Sequence, residues 1–168
     1  MHRKFRLPIG FLVILLLTML QGCGFHLRGA ADLPSSINPL FLQGVGEHDP
    51  LRRDLRQVLD SADIQITTDP SKANAILKVV KQKQDRRVLS VDSRGKVVEY
   101  EIHHGLEFEL VDVRGALLME SQSVGAQRAY ENSETEILGK KQEETQLRRD
   151  LRLDLIRRIV NRMQEQLR

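Results

Sequence analysis

Between Val98 and Leu110 apolar and charged residues alternate one by one. Val98, Tyr100, Ile102, Leu106, Phe108 and Leu110 share one side of an extended chain, and Glu99, Glu101, His103, Glu107 and Glu109 share the other. A period of two is the signature of a strand with one buried and one polar face, and it is incompatible with a helix. The turn-forming stretches "DSRG" (92–95) and "DVRG" (112–115) flank this strand, so both its neighbours are expected to be hairpin partners. One partner begins at Ala75, with "AILKVV" as a buried run, "KQKQDRR" as a polar extension and "VLSV" resuming it. The other is "ALLMESQSVGAQRAY". His104 and Gly105 interrupt the pattern at mid-strand and suggest a bulge or bend there.

Helical spacing brackets this three-stranded unit. Asp49 before Pro50 is a helix start, a capping side chain followed by proline in the first turn. Leu51, Leu55, Val58, Leu59 and Ala62 then recur on one face, ending near Asp63. Leu40 to Leu42 precede that helix as a short strand, and Ile64 and Ile66 follow it as another. Ser133 and Glu136 form a capping box for a long last helix. Its stripe is Leu147, Leu151, Leu155, Ile156, Ile159, Val160, Met163 and Leu167, opposite a face dense in arginine and aspartate. A stripe that long must pack on something, and the sheet is the obvious partner. The expected fold is α+β, a two-layer sandwich with two helices on one face of a mostly antiparallel, roughly four-stranded sheet.

The first residues belong to a different regime. "MHRKFRLPIG" is basic and "FLVILLLTML" is apolar, a run too short to cross a bilayer comfortably, so 1–22 reads as a cleaved export signal. It ends Leu20-Gln21-Gly22-Cys23, which resembles a bacterial lipobox. Cys23 is the one cysteine of the chain and has no disulfide partner within it. Acylation of Cys23 would remove that difficulty and anchor the domain, since two or more acyl chains hold a protein at a membrane. Gly24, where aspartate commonly retains such proteins at the inner membrane, favours the outer one by the same resemblance. The expected organisation is a signal at 1–22, a lipidated segment at 23–39 and one domain over 40–168.

Removing the signal changes the charge. The chain holds 26 lysines and arginines against 23 acids, and Arg3, Lys4 and Arg6 supply the whole excess, so the mature part is formally neutral. That argues against a nucleic-acid partner, as do the scattered aromatics Phe25, Phe41, Tyr100, Phe108 and Tyr130. Catalytic signatures are missing: there is no G-x-S-x-G and no H-E-x-x-H. The S-x-x-K match from Ser93 to Lys96 falls on a hairpin turn rather than a helix start. His103 and His104, adjacent on a strand, point to opposite faces and cannot easily share a metal; one exposed and one half-buried histidine is the expectation. No enzyme activity, metal or cofactor is expected beyond acyl groups on Cys23. Lys81, Lys83, Arg86, Arg87, Arg94 and Lys96 gather around the first hairpin, and Lys140 and Lys141 lie near the start of the last helix. Such a group suits the phosphates of a lipid head; the alternative is a soluble surface balanced by the glutamates.

At "GCGFHLRG" (22–29) the chain resembles the LptE family of lipopolysaccharide-assembly lipoproteins. Leu33-Pro34, the polar turn and "EY" strand between Ser90 and Tyr100, and the charged last helix are similar too. The resemblance implies a lipid-anchored protein on the periplasmic side of the outer membrane. It implies a plug in the lumen of an LptD-type β-barrel, and a part in barrel assembly and in lipopolysaccharide binding and insertion. It also places lipopolysaccharide contacts at Lys140 and within "DSRG", where Ser93 aligns and Arg94 is the nearest base; Arg86 and Arg87 are further candidates from the basic cluster. A generic outer-membrane scaffold for another envelope complex is the alternative. A lipid-anchored hydrolase using Ser93 or His104 is a third reading.

Overall fold

The computed structural model describes residues 32–132 and 137–168, with side chains in the last helix from Lys141 onward. Cys23, the "GFHLRG" motif and the Ser133–Glu136 capping box lie outside the described residues. The elements are β1 (Leu40–Gln43), α1 (Pro50–Asp60), β2 (Ile66–Thr67), β3 (Ala75–Val91), β4 (Val97–Asp112), β5 (Leu117–Glu131) and α2 (Ile137–Gln166). They form one sheet in the order β2-β1-β3-β4-β5. β1 runs parallel to both neighbours, and β3, β4 and β5 are antiparallel.

The expected α+β sandwich is present, with a sheet of five strands rather than about four. The short strand expected at Ile64 and Ile66 is β2, two residues long, which pairs only through Ile66 and Thr67. Ile64, expected within that strand, is buried in the core ahead of it. α1 stops at Asp60, earlier than expected. Asp63 takes a left-handed backbone (φ 59°), and the Ile64 amide returns to the Leu59 carbonyl at 3.0 Å. The start of α1 is as expected, with the Asp49 side chain accepting from the Leu51 amide at 2.8 Å.

α1 and α2 cover one face of the sheet. Leu40, Leu42, Leu51, Leu55, Leu59, Leu77, Phe108, Leu110, Leu155, Ile156 and Ile159 form its buried centre. A second, smaller cluster of Ile102, Tyr130 and Leu151 sits higher along the hairpins, under the first half of α2. One ion pair crosses between the helices: Arg152 Nε donates to Asp54 Oδ2 at 3.0 Å, with Asp54 only 2% exposed. Removing two charges from water is costly, and this contact offsets the cost only because both partners are present.

The mid-strand interruption is absent. Pairing runs without a break from Arg86↔Ile102 through Gln84↔His104 to Lys81↔Glu107, and the irregularities fall instead at Val79/Lys81 and near Val88 to Val91. Alternation therefore continues through position 104, and His104 lies on the core face beside Ile102 and Leu106. Val98, expected on that face as a buried residue, is exposed.

Candidate lipid- and partner-binding surface

The β3–β4 tip is built by its aspartate. Asp92 accepts from the amides of Arg94 (2.8 Å) and Lys96 (2.9 Å), and Gly95 takes the positive φ of 77° that closes the turn. Those two backbone donors, Lys96 first and Arg94 second, hold the Asp92 carboxyl below its usual range. The Arg94 guanidinium folds back on Asp92 at 3.0 Å with its side chain 79% exposed, so it stands at the apex with its outer face open to water. Ser93 is exposed beside it.

The start of α2 belongs to the same end of the molecule. The chain leaves β5 at Asn132, whose amide donates to the Val98 carbonyl and whose side chain donates to the Val97 carbonyl at 3.0 Å. The helix begins at Ile137, only a few residues on. Lys140 is thus in the first turn of α2, on the tip side of the sheet, with its side chain outside the described residues.

Arg86 and Arg87 do not join a convergent basic site. They point to opposite faces and each is engaged within the chain. Arg86 lies over the Tyr100 ring, 4.3 Å from its centroid, and reaches the Tyr130 hydroxyl (3.4 Å) and Glu144 (3.3 Å). The Tyr130 hydroxyl donates to Glu144 at 2.9 Å, and Arg148 binds the other Glu144 oxygen. Burial pushes the Glu144 carboxyl up, but the bonds from Arg148 and Tyr130 outweigh it and hold the group below its usual value. This network clamps the first half of α2 to the hairpin. On the other face Arg87 pairs with Glu101 at 2.7 Å, and His103 contacts the same carboxylate. The bonds from His103, then Arg87, hold Glu101 below its usual range.

The uncovered face of the sheet is therefore a charged lattice rather than a carboxylate array. Lys78 meets Glu109 at 3.1 Å, Lys83 meets Asp85 at 3.5 Å, and Ser121 donates to Glu107 at 3.1 Å. Where Gly105 faces Gly125 there is a cleft of about 530 Å³, lined by Lys83, Asp85, His103 and Gln127 and also by Asp154 and Arg158 of α2. No nucleophile stands beside a base there. Ser93 at the tip and His104 in the interior are separated by some seven residues of strand, roughly 23 Å, and form no shared site. Among the described residues no group of acids, histidines or cysteines could hold a metal ion, and no helix is long and apolar enough to cross a membrane.

Two features escaped sequence reasoning. His104 is 1% exposed with neither ring nitrogen hydrogen-bonded, a correction to the half-buried state expected of it. Burial, followed by the Arg152 charge, pushes its pKa down and favours the neutral ring in the folded state. The Asp54–Arg152 pair was hidden because Arg152 sits among exposed arginines in the helix pattern. The signal was Asp54, which falls between Leu51 and Val58 on the apolar side of α1.

A family model for LptE, described as lipopolysaccharide-assembly, matches residues 37–163. Curated relatives include the LPS-assembly lipoprotein LptE of Pectobacterium atrosepticum, 26% identical with 96% of this chain and 85% of the relative covered. The protein of the same name from Photorhabdus laumondii is also 26% identical, covering 96% and 86%. Among solved structures, lipoprotein B of Nitrosomonas europaea superposes with a TM-score of 0.68 at 25% identity, over 82% of this chain and 88% of that one. Rare lipoprotein B of Shewanella oneidensis gives 0.63 at 25% identity, over 75% and 93%.

Proposed function

The chain belongs to the LptE family of lipopolysaccharide-assembly lipoproteins, and from that premise we propose that it plugs the lumen of an LptD-type outer-membrane β-barrel. In this reading it also helps that barrel assemble and takes part in binding and inserting lipopolysaccharide. The observation that carries the plug is the charged lattice on the uncovered sheet face, where Lys78–Glu109 and Arg87–Glu101 pair across strands. Barrel lumens are polar, so a plug needs a surface of mixed, locally neutralised charge. Acyl groups on Cys23 would keep the plug at the membrane on the periplasmic side.

Within the basic cluster the reading now favours Arg94 and Lys140 as lipopolysaccharide contacts, with Ser93 beside them. Both bases are at the tip end of the sheet, and Arg94, although paired with Asp92, is more exposed than Arg86 and Arg87 in their pairs with Glu144 and Glu101. Arg94→Glu and Lys140→Glu should weaken lipopolysaccharide binding while the melting temperature stays unchanged. Unchanged binding in both variants would make the cluster ordinary surface. The plug itself is tested by affinity recovery of the tagged full chain from outer membranes. A large β-barrel should come with it. A different envelope protein in its place would identify a scaffold for another complex instead.

A further inference from the structure

β3 is far longer than the strand beside it. β1 pairs only with Ala75 to Lys78, and β3 continues to Val91. Among the described residues nothing pairs with β3 on that side beyond Lys78, so the backbone donors and acceptors pointing away from β4 stand open. The end of β1 is a built feature. Gly44 turns the chain away with a φ of 82°, and any Cβ there would collide with the Val79 carbonyl oxygen. Arg52 then fixes the departing loop, donating to the carbonyls of Leu42 (3.0 Å) and Val45 (2.8 Å). Among the described residues, nothing enters the slot above β1.

The stretch from Lys81 to Val88 keeps an unbroken register with β4 from Glu107 to Tyr100, between irregularities at either end. It is thus a regular strand edge roughly 25 Å long at ~3.3 Å per residue. Val80, Val88, Leu89 and Val91, at or just beyond its two ends, are about half exposed and are four of the eight large exposed apolar residues among those described. Long open edges of this kind invite another strand. Lys81, Lys83 and Arg87 project on the uncovered face at alternate positions with Asp85 among them, three bases to one acid; Lys83 and Arg87 keep most of their side chains exposed although they pair with Asp85 and Glu101. A second copy would bring the same excess of three bases over one acid to the joint, a net repulsion, while acids at those positions would be favourable.

We propose that the open edge of β3 from Lys81 to Val88 is a strand-addition site that takes an extended segment of the barrel partner carrying acidic side chains at alternate positions. Main-chain hydrogen bonds would supply the affinity and the Lys81–Lys83–Arg87 row the register. The inference rests on the plug reading, because it assigns the segment to that barrel.

Hydrogen–deuterium exchange of the full chain, alone and in complex with its barrel, tests it. Amides of Lys81 to Val88 that face the slot should exchange quickly in the chain alone and at least tenfold more slowly in the complex. Those on the open side of β5, such as Ser123 and Gln127, should change less. A Lys81→Glu/Lys83→Glu variant should recover several-fold less barrel while melting at the same temperature. Unchanged exchange at 81–88 in a recovered complex, or unchanged recovery with the variant, overturns the inference and leaves the plug standing. Recovery of no barrel removes both. Protection already present in the chain alone would mean its own N-terminal segment or a second copy fills the slot, which also overturns it.

Discussion

The sheet has two halves made from the same three long strands, and they are held in different ways. Near β1 both helices lie over it, and Leu77, Phe108 and Leu110 meet Leu55, Leu59 and Ile159 in a dry core. Toward the β3–β4 tip only α2 remains, and the cover is a small cluster of Ile102, Tyr130 and Leu151 sealed by the Arg86–Tyr130–Glu144–Arg148 network. Length explains the contrast. α1 has 11 residues, roughly 16 Å of helix, against roughly 55 Å of strand in the 17 residues of β3. The uncovered half exposes Val88, Leu89, Val91 and Val98 and carries Arg94 at its apex. One half makes the fold; the other spends its surface on contacts.

The contrast breaks most severely at Phe108. Phe108→Ala removes a fully buried ring from the two-helix half and should cost about 3–5 kcal/mol in urea unfolding. Arg152→Ala leaves the buried Asp54 with only the longer 3.5 Å contact to the exposed Arg53 and should cost about 3 kcal/mol by the same measurement. Tyr130→Phe acts only on the tip half. It deletes the hydroxyl that joins Glu144 and Arg86 and should cost about 1 kcal/mol, with faster amide exchange along the first half of α2 and none near β1.

The smallest effect is the pH response of His104, which sits between the two halves. Its folded pKa is lowered by burial and by Arg152, with Arg148 adding and Asp49 opposing. Below the unfolded value of about 6.5 the unfolded chain binds the proton more readily. Stability contributed by the neutral ring is therefore present above that value and lost as pH falls below it. Glu101 and Glu144 have lowered pKa values, so their contributions fade only under more acidic conditions. Denaturation midpoints between pH 7 and pH 5 should fall for the native chain and less for His104→Leu. Equal slopes would remove this role from His104.

The architecture was legible because each long element carries one clean period. The twofold alternation of β4, the stripe of α2 and the Asp49-Pro50 cap each name a local structure and a buried face. Positions where two preferences compete were not legible. His104 looked like an interruption since histidine between apolar residues is ambiguous, and only the register with Gln84 and Ala126 shows it inside. Val98 follows the pattern of a buried residue, but burial depends on what packs over the strand, which strand periodicity does not encode. Arg86 and Arg87 looked like a pair of bases; adjacency along a strand sends them to opposite faces and to separate acids. Lys140 and Arg94 could be placed at one end only once the return of β5 to Val98 was known.

The division into a fold-making half and a contact-making half is tested most directly by native-state hydrogen exchange on the isolated chain. Amides around Leu77 and Phe108 should exchange only through global unfolding, with the full denaturant dependence. Those around Ile102, Tyr130 and the first turns of α2 should open at distinctly lower free energy and with a weaker denaturant dependence. Uniform protection along the whole of β4 would contradict that division.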